Sequence, residues 1–202
     1  MRNEWRWPGL SRAVRAGLLA LMIVLGAGIA GGAHAQGSAG PYVPTPAVIV
    51  AELLKLADVR SGERLVDLGS GDGRIVITAA SQYGASGLGI DIQPSLVDMA
   101  TENARKAGVA DRAKFVAGDL FDMNLSQVDV VTVYLLPSAV PNLVPKLQRE
   151  LRHGARVVSH DYPLLPWVPE KVLTFDFEEK VMISGTTRTV LYLYRVPAAF
   201  TQ

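Results

Sequence analysis

The densest group of residues able to do chemistry is Val66-Asp67-Leu68-Gly69-Ser70-Gly71-Asp72-Gly73-Arg74. A short apolar run enters glycines at 69, 71 and 73, and a helix-forming stretch follows. Glycine lets the backbone turn sharply and come close to a ligand, because no Cβ intervenes. The following helix presents N–H groups that its own backbone cannot satisfy. A loop built to seat a pyrophosphate places its third glycine one residue later, where this chain has Arg74. The acid ahead of the loop, Asp67, would repel a pyrophosphate and suits a cationic group such as an ammonium. A dinucleotide oxidoreductase therefore fits poorly. The plainer alternative is a tight strand–helix turn with no ligand.

Two further acids follow the same plan. Asp91 ends the apolar run Gly89-Ile90-Asp91. An acid about 20 residues beyond a glycine loop, at a strand end, accepts hydrogen bonds from ribose hydroxyls. The competing role for Asp91 is a helix N-cap, although Ser95 could cap equally well. Asp119 lies in Ala117-Gly118-Asp119-Leu120. There it can accept from an adenine amino group, with Ile92 and Leu120 supplying apolar faces for the ring; taken alone, it reads as a turn residue. Three acids at three successive strand ends are hard to explain as turns.

A second set lies further along. Tyr134-Leu135-Leu136-Pro137 follows an apolar run, and Ser159-His160-Asp161 ends another. Neighbours on a strand point to opposite faces, so these three do not form a hydrolase triad. By the same rule only one of His160 and Asp161 can face a given site. His160 also reads as a structural hydrogen-bonding residue. Trp167, among Pro163, Pro166 and Pro169, reads either as a lip of the site or as a core anchor.

The elements that must position these residues alternate. Thr45-Pro46 reads as a helix start, with a capping hydroxyl and a first-turn proline, and near-helical apolar spacing continues to Val59. Strands are expected over 64–68, 87–92, 113–117, 128–135 and 155–160. Helices are expected over 74–83, 95–107 (closed by Gly108) and 138–151, the last carrying Pro145 as a difficulty. Two alternating segments, 171–178 and 186–196, read as strands with a turn at Ser184-Gly185. Such alternation implies an α/β fold: a doubly wound, mostly parallel, Rossmann-like sheet of seven strands with an antiparallel C-terminal edge. Ligands of such sheets bind beyond the carboxyl ends of the strands, where the acids above fall.

The chain has 202 residues, no cysteine and a net charge of +1. The length suits one domain and a tail. Disulfides, thiolate metal sites and a cysteine nucleophile are excluded. No basic run suggests a nucleic-acid groove, so no nucleic-acid partner is expected. Arg2, Arg6, Arg12 and Arg15 crowd the start, an uncharged apolar stretch covers 16–32, and Ala33-His34-Ala35 gives a small-residue A-x-A pattern. Residues 1–35 thus read as a signal peptide or an uncleaved membrane anchor. Residues 36–46 read as a linker, and 47–202 as the folded domain. Both readings of the first segment place the domain across the membrane, exported or anchored.

Together, the D-x-G-x-G-x-G loop, the acid after strand two and the Gly-Asp after strand three resemble class I S-adenosylmethionine (SAM)-dependent methyltransferases. Further stretches are similar to the lysine methyltransferases of the ATP synthase c-subunit and their bacterial relatives: Tyr42-Val43-Pro44-Thr45, DLGSGDGRIVI at 67–77, Leu135-Leu136-Pro137, LQRELRHGARVV at 147–158 and Pro166-Trp167-Val168-Pro169. The resemblance implies SAM as cofactor, held by Asp67, Gly69, Ser70, Gly71, Gly73, Asp91, Ile92, Asp119 and Leu120. It also implies a methyl acceptor that is a protein lysine amine. Tyr134, Leu135 and Pro137 would wall an apolar pocket that lowers the amine's pKa, and Asp161 or His160 would orient the amine or take its proton, with Asp161 the residue expected to do so. A small-molecule acceptor is the alternative, as is a non-catalytic scaffold outside the cytoplasm, since an exported domain would sit apart from cytoplasmic SAM.

Overall fold

The structure, a computed structural model, describes residues 42–180 and 186–197. The expected signal or anchor segment, most of the linker and the Ser184-Gly185 turn lie outside the described residues. Four α-helices, α1 (Ala47–Leu56), α2 (Arg74–Tyr83), α3 (Pro94–Lys106) and α4 (Val140–Glu150), alternate with seven strands. The strands are β1 (Arg64–Leu68), β2 (Ser86–Asp91), β3 (Ala113–Ala117), β4 (Val130–Val133), β5 (Arg156–His160), β6 (Lys171–Asp176) and β7 (Arg188–Arg195). They form one sheet in the order β3-β2-β1-β4-β5-β7-β6. The first five are parallel, and β7 runs antiparallel to both β5 and β6. The strand order reverses between β1 and β4, so the glycine loop leaves the sheet at its switch point.

The central strands are buried on both faces, as their near-continuous apolar sequences require. One cluster joins α1, α2 and the end of α3 to Leu65, Val130, Val158, Leu191 and Leu193. The buried residues of α4, Leu143, Val144 and Leu147, stand outside it. Pro145 lies within α4. It forfeits one backbone donor, and the buried apolar stripe on either side keeps the helix continuous.

Four of the departures from the sequence reading bear on the site. Thr45 does not cap α1; Pro46 holds the cap position, with no side-chain cap bond. The helix expected from residue 138 opens as a 3-10 turn over Pro137–Ala139 before α4 begins. Strand β2 ends at Asp91, leaving Ile92 outside it and exposed. Asp161 follows β5 with φ 64°, a left-handed conformation. Strand alternation therefore stops at His160, and both His160 and Asp161 approach one site, with Nε2 and Oδ2 3.7 Å apart.

Candidate functional site

The site gathers at the carboxyl ends of β1, β2, β4 and β5. Asp67 is fully enclosed near the end of β1, and its Oδ1 accepts from the Thr132 hydroxyl at 2.6 Å. The two residues are register partners on neighbouring strands. Among the described residues no cation pairs with Asp67. Burial pushes its carboxyl up to about 7, and Asp91 and Asp72 add to the rise against the Thr132 bond.

Asp91 acts as the clasp of the loop. Its Oδ2 accepts from Gly71 N and its Oδ1 from Gln93 N, both at 2.9 Å. It does not cap α3, whose cap position is Gln93. Each of its oxygens keeps a further acceptor site. Gly71 has φ 52°, and a Cβ there would stand 2.6 Å from Tyr42 Cε2. The spaces left by the missing Cβ atoms of Gly69 and Gly73 are likewise filled by protein, by Leu135 and by Phe115 with Ala100. The glycines admit close packing of the chain's own side chains onto the loop. Gly118 is open: among the described residues a Cβ there would meet only Ile90 Cδ1 within 4 Å, at 3.8 Å. Ile92 is exposed, Leu120 is half-buried, and Asp119 accepts from Phe121 N at 2.8 Å while opening a 3-10 turn. Ser70 is buried, and its hydroxyl has no hydrogen-bond partner among the described residues.

Beyond β4, the Tyr134 ring lies against His160 with centroids 4.0 Å apart. Desolvation pushes the Tyr134 phenol up to about 12, with the adjacent Asp161 carboxylate, to which it hydrogen-bonds, adding to the rise. Desolvation also lowers His160 to about 4, so its ring is neutral near pH 7. Lys180 straddles Asp161, with Nζ 2.6 Å from each carboxylate oxygen. Val190 N donates to Asp161 Oδ1 at 3.2 Å. Pro137 is exposed at the start of its turn. Trp167 is buried edge-on to Tyr194, a core anchor.

The structure thus brings Asp67, Ser70, Gly71 and Asp91 together around the loop, and Tyr134, His160 and Asp161 into a second cluster. Sequence reasoning gave no role to Tyr42, Thr132 or Lys180. Thr132 carried a signal, as a lone polar residue in the otherwise apolar strand Val130–Val133. Lys180 carried none. The residues fit an adenosyl ligand bearing an ammonium: a cation-free buried acid, a clasped acid with acceptor capacity to spare, and an open Gly118 just beyond β3, bonded through its N–H to the Asp91 carbonyl.

With that fold and site, the protein is a SAM-dependent methyltransferase. The chain belongs to the ANTKMT methyltransferase-domain family, whose model matches residues 67–171. It is 38% identical over 155 residues to a protein-lysine N-methyltransferase of Saccharolobus islandicus, a match covering 76% of this chain and 92% of that protein. It is also 38% identical to the ATP synthase c-subunit lysine N-methyltransferase of Xenopus laevis, over 65% of this chain and 58% of that one. The match thus spans little more than half of the vertebrate relative. Among solved structures, an RNA methyltransferase from Salinibacter ruber with bound S-adenosyl-L-homocysteine superposes with a TM-score of 0.68 at 48% identity. That match covers 77% of this chain and 94% of the other. The resemblance to the c-subunit enzymes, and SAM as cofactor, are borne out.

Proposed function

We propose that the protein transfers methyl groups to a lysine amine of a protein, with the loop cluster holding SAM and the Tyr134–Asp161 cluster holding the acceptor. The observation that carries this reading is the placement of a carboxylate and a phenol at the strand ends beside the glycine loop. The lysine-modifying relative matched over almost its full length supports it. Asp67, Gly69, Ser70, Gly71 and Gly73 would line the methionine end, Asp91 would meet the ribose, and Ile92, Asp119 and Leu120 the adenine. Bound SAM supplies a methyl group already activated on a sulfonium sulfur, so alignment provides most of the rate.

The chain's own part is to align and to desolvate. Tyr134 with Leu135, Leu136 and Pro137 offers an apolar wall that favours the neutral amine. Asp161 is already held by Lys180. Its role is to accept an N–H of the amine and set its direction. The proton then leaves to solvent.

A second reading has a specific motive: the solved relative at 48% identity is described as an RNA methyltransferase. Against it stand the net charge of +1 and the exposed Leu136, Leu165 and Val168 beyond β4 and β5, which suit an apolar polypeptide better than phosphate. The test is transfer of tritium from labelled SAM by the full chain into a cell extract treated with ribonuclease or with protease. Protease-sensitive label recovered as methyllysine is the expected result. Ribonuclease-sensitive label would establish the RNA reading, label in the small-molecule fraction a small acceptor, and no label with no SAM binding a scaffold.

We also propose that residues 1–35 direct export or membrane anchoring, on the strength of the arginine-rich start, the apolar stretch and the A-x-A pattern. Among the described residues no helix is long and apolar enough to cross a membrane. N-terminal sequencing of the protein from fractionated cells should show Gln36 as the first residue, or an intact chain in the membrane pellet. An intact chain in the cytosol would refute the proposal.

A further inference from the structure

The segment 42–45 runs from the glycine loop to the acceptor cluster and touches both. Tyr42 covers Gly71, and its hydroxyl hydrogen-bonds to the Asp72–Arg74 ion pair. Arg74 Nη1 donates to the Thr45 carbonyl at 2.8 Å. From the same residue, the Thr45 hydroxyl lies 3.4 Å from His160 Nδ1. His160 is 2% exposed, and its Nε2 has no hydrogen-bond partner among the described residues. That nitrogen faces Asp161 Oδ2 at 3.7 Å.

A carboxylate held by an ammonium can only accept, so Asp161 favours a hydrogen on the nitrogen that faces it, although at 3.7 Å it makes no hydrogen bond that would fix one there. The other nitrogen, Nδ1, then has a lone pair to offer, and the Thr45 hydroxyl is the group placed to donate to it. We propose that Thr45 is a positioning residue for methyl transfer. By donating to His160 Nδ1 it fixes the Nε2–H tautomer aimed at Asp161, and the ring so held supports Tyr134 at the acceptor side. The proposal rests on the reading of Tyr134 and Asp161 as the acceptor cluster. It gives residues 42–45 a defined role, since the strap that Arg74 fastens to the cofactor loop also sets the acceptor groups.

The experiment compares the full-length protein with Thr45→Val and Thr45→Ser. Valine keeps the shape and the backbone carbonyl that Arg74 uses, and removes only the hydroxyl. Two-bond proton–nitrogen correlation spectra of nitrogen-15-labelled protein, with His160→Gln for assignment, read the tautomer directly. Wild type and Thr45→Ser should show Nε2–H, and Thr45→Val a mixture or Nδ1–H. SAM affinity by titration should stay within about twofold throughout, while the initial rate of tritium transfer into the cell extract falls about tenfold in Thr45→Val and returns in Thr45→Ser. A wild-type Nδ1–H tautomer, an unchanged tautomer in Thr45→Val, or an unchanged rate would each overturn the proposal. The spectra need no acceptor, so failure of the lysine reading remains distinguishable from failure of this one.

Discussion

Asp67→Asn is the most informative single change at the cofactor loop. Asparagine has the same outline, and its carbonyl can still accept the 2.6 Å bond from Thr132. What it removes is the ability to ionise. In the folded protein the Asp67 carboxyl lies at about 7, against an ordinary value of 3.8. The folded state therefore holds a proton that the unfolded chain releases between those two values. Stability from this group is full below pH 3.8, declines as pH rises towards 7, and is lowest above it. The whole difference corresponds to about 4 kcal/mol, most of it falling between pH 5 and pH 8, where it amounts to roughly 2–3 kcal/mol. His160 works the other way. Its folded value of about 4 lies below 6.5, so its contribution is present above pH 6.5 and is lost as pH falls. The two trends oppose each other in the wild type, and the difference between variant and wild type isolates Asp67. Urea unfolding of both proteins without SAM, at pH 5 and pH 8, should show Asp67→Asn gaining on wild type by roughly 2–3 kcal/mol at the higher pH. The same variant should bind SAM more weakly at pH 8, having lost the charge that would meet the ammonium. A stability difference that stays flat between the two pH values would refute the argument that Asp67 is a buried, cation-free acid.

The other changes test separate parts of the site. Asp91→Asn should weaken SAM binding by about 1.5–3 kcal/mol, roughly 10- to 150-fold by calorimetry; unchanged affinity would remove Asp91 from the cofactor site. Gly71→Val should place a Cβ against Tyr42 in a left-handed backbone, abolishing SAM binding with circular dichroism preserved, and normal binding would show that the loop does not cradle the cofactor. Lys180→Met should strip the partly buried Asp161 of its partner and cost about 3–5 kcal/mol in urea unfolding, whereas a loss under about 1 kcal/mol would mark the pair as incidental. Trp167→Ala should lower stability by about 3–5 kcal/mol with SAM affinity retained; lost affinity at full stability would make it a lip of the site.

The sequence was most legible where glycine punctuates it. β1 and α2 have the bounds read from the residues, because Gly69, Gly71 and Gly73 separate them and Gly84 follows α2 in a left-handed conformation. β3 and the seven-strand plan were legible for the same kind of reason. The positions of Asp67, Asp91 and Asp119 at successive strand ends were likewise apparent. What could not be read was set by distant partners. Thr45 has the look of a cap, yet its hydroxyl turns to a histidine 115 positions away. Asp161 and His160 converge because one residue adopts positive φ, which nothing in Ser159-His160-Asp161 announces. Lys180 reaches Asp161 only because β7 inserts between β5 and β6. Local pattern carries periodicity and turns; it does not carry which side chain a tertiary neighbour will claim.

That insertion also bears on the order in which the molecule can be made. β5 is buried throughout and pairs along its length with β7, which ends at Arg195. A nascent chain that has delivered its first five strands therefore has an apolar strand with one unsatisfied edge, a surface prone to pairing with other chains. The glycine loop, Asp91 and Asp119 have by then all emerged, whereas Lys180 and Val190, which brace Asp161, have not. During synthesis the cofactor half precedes the acceptor half, and the closing contacts join residues far apart along the chain, the kind that form slowly. A ligand that binds the early half would stabilise it while the last hairpin is still being added. SAM would then serve this protein during folding as well as at the reaction.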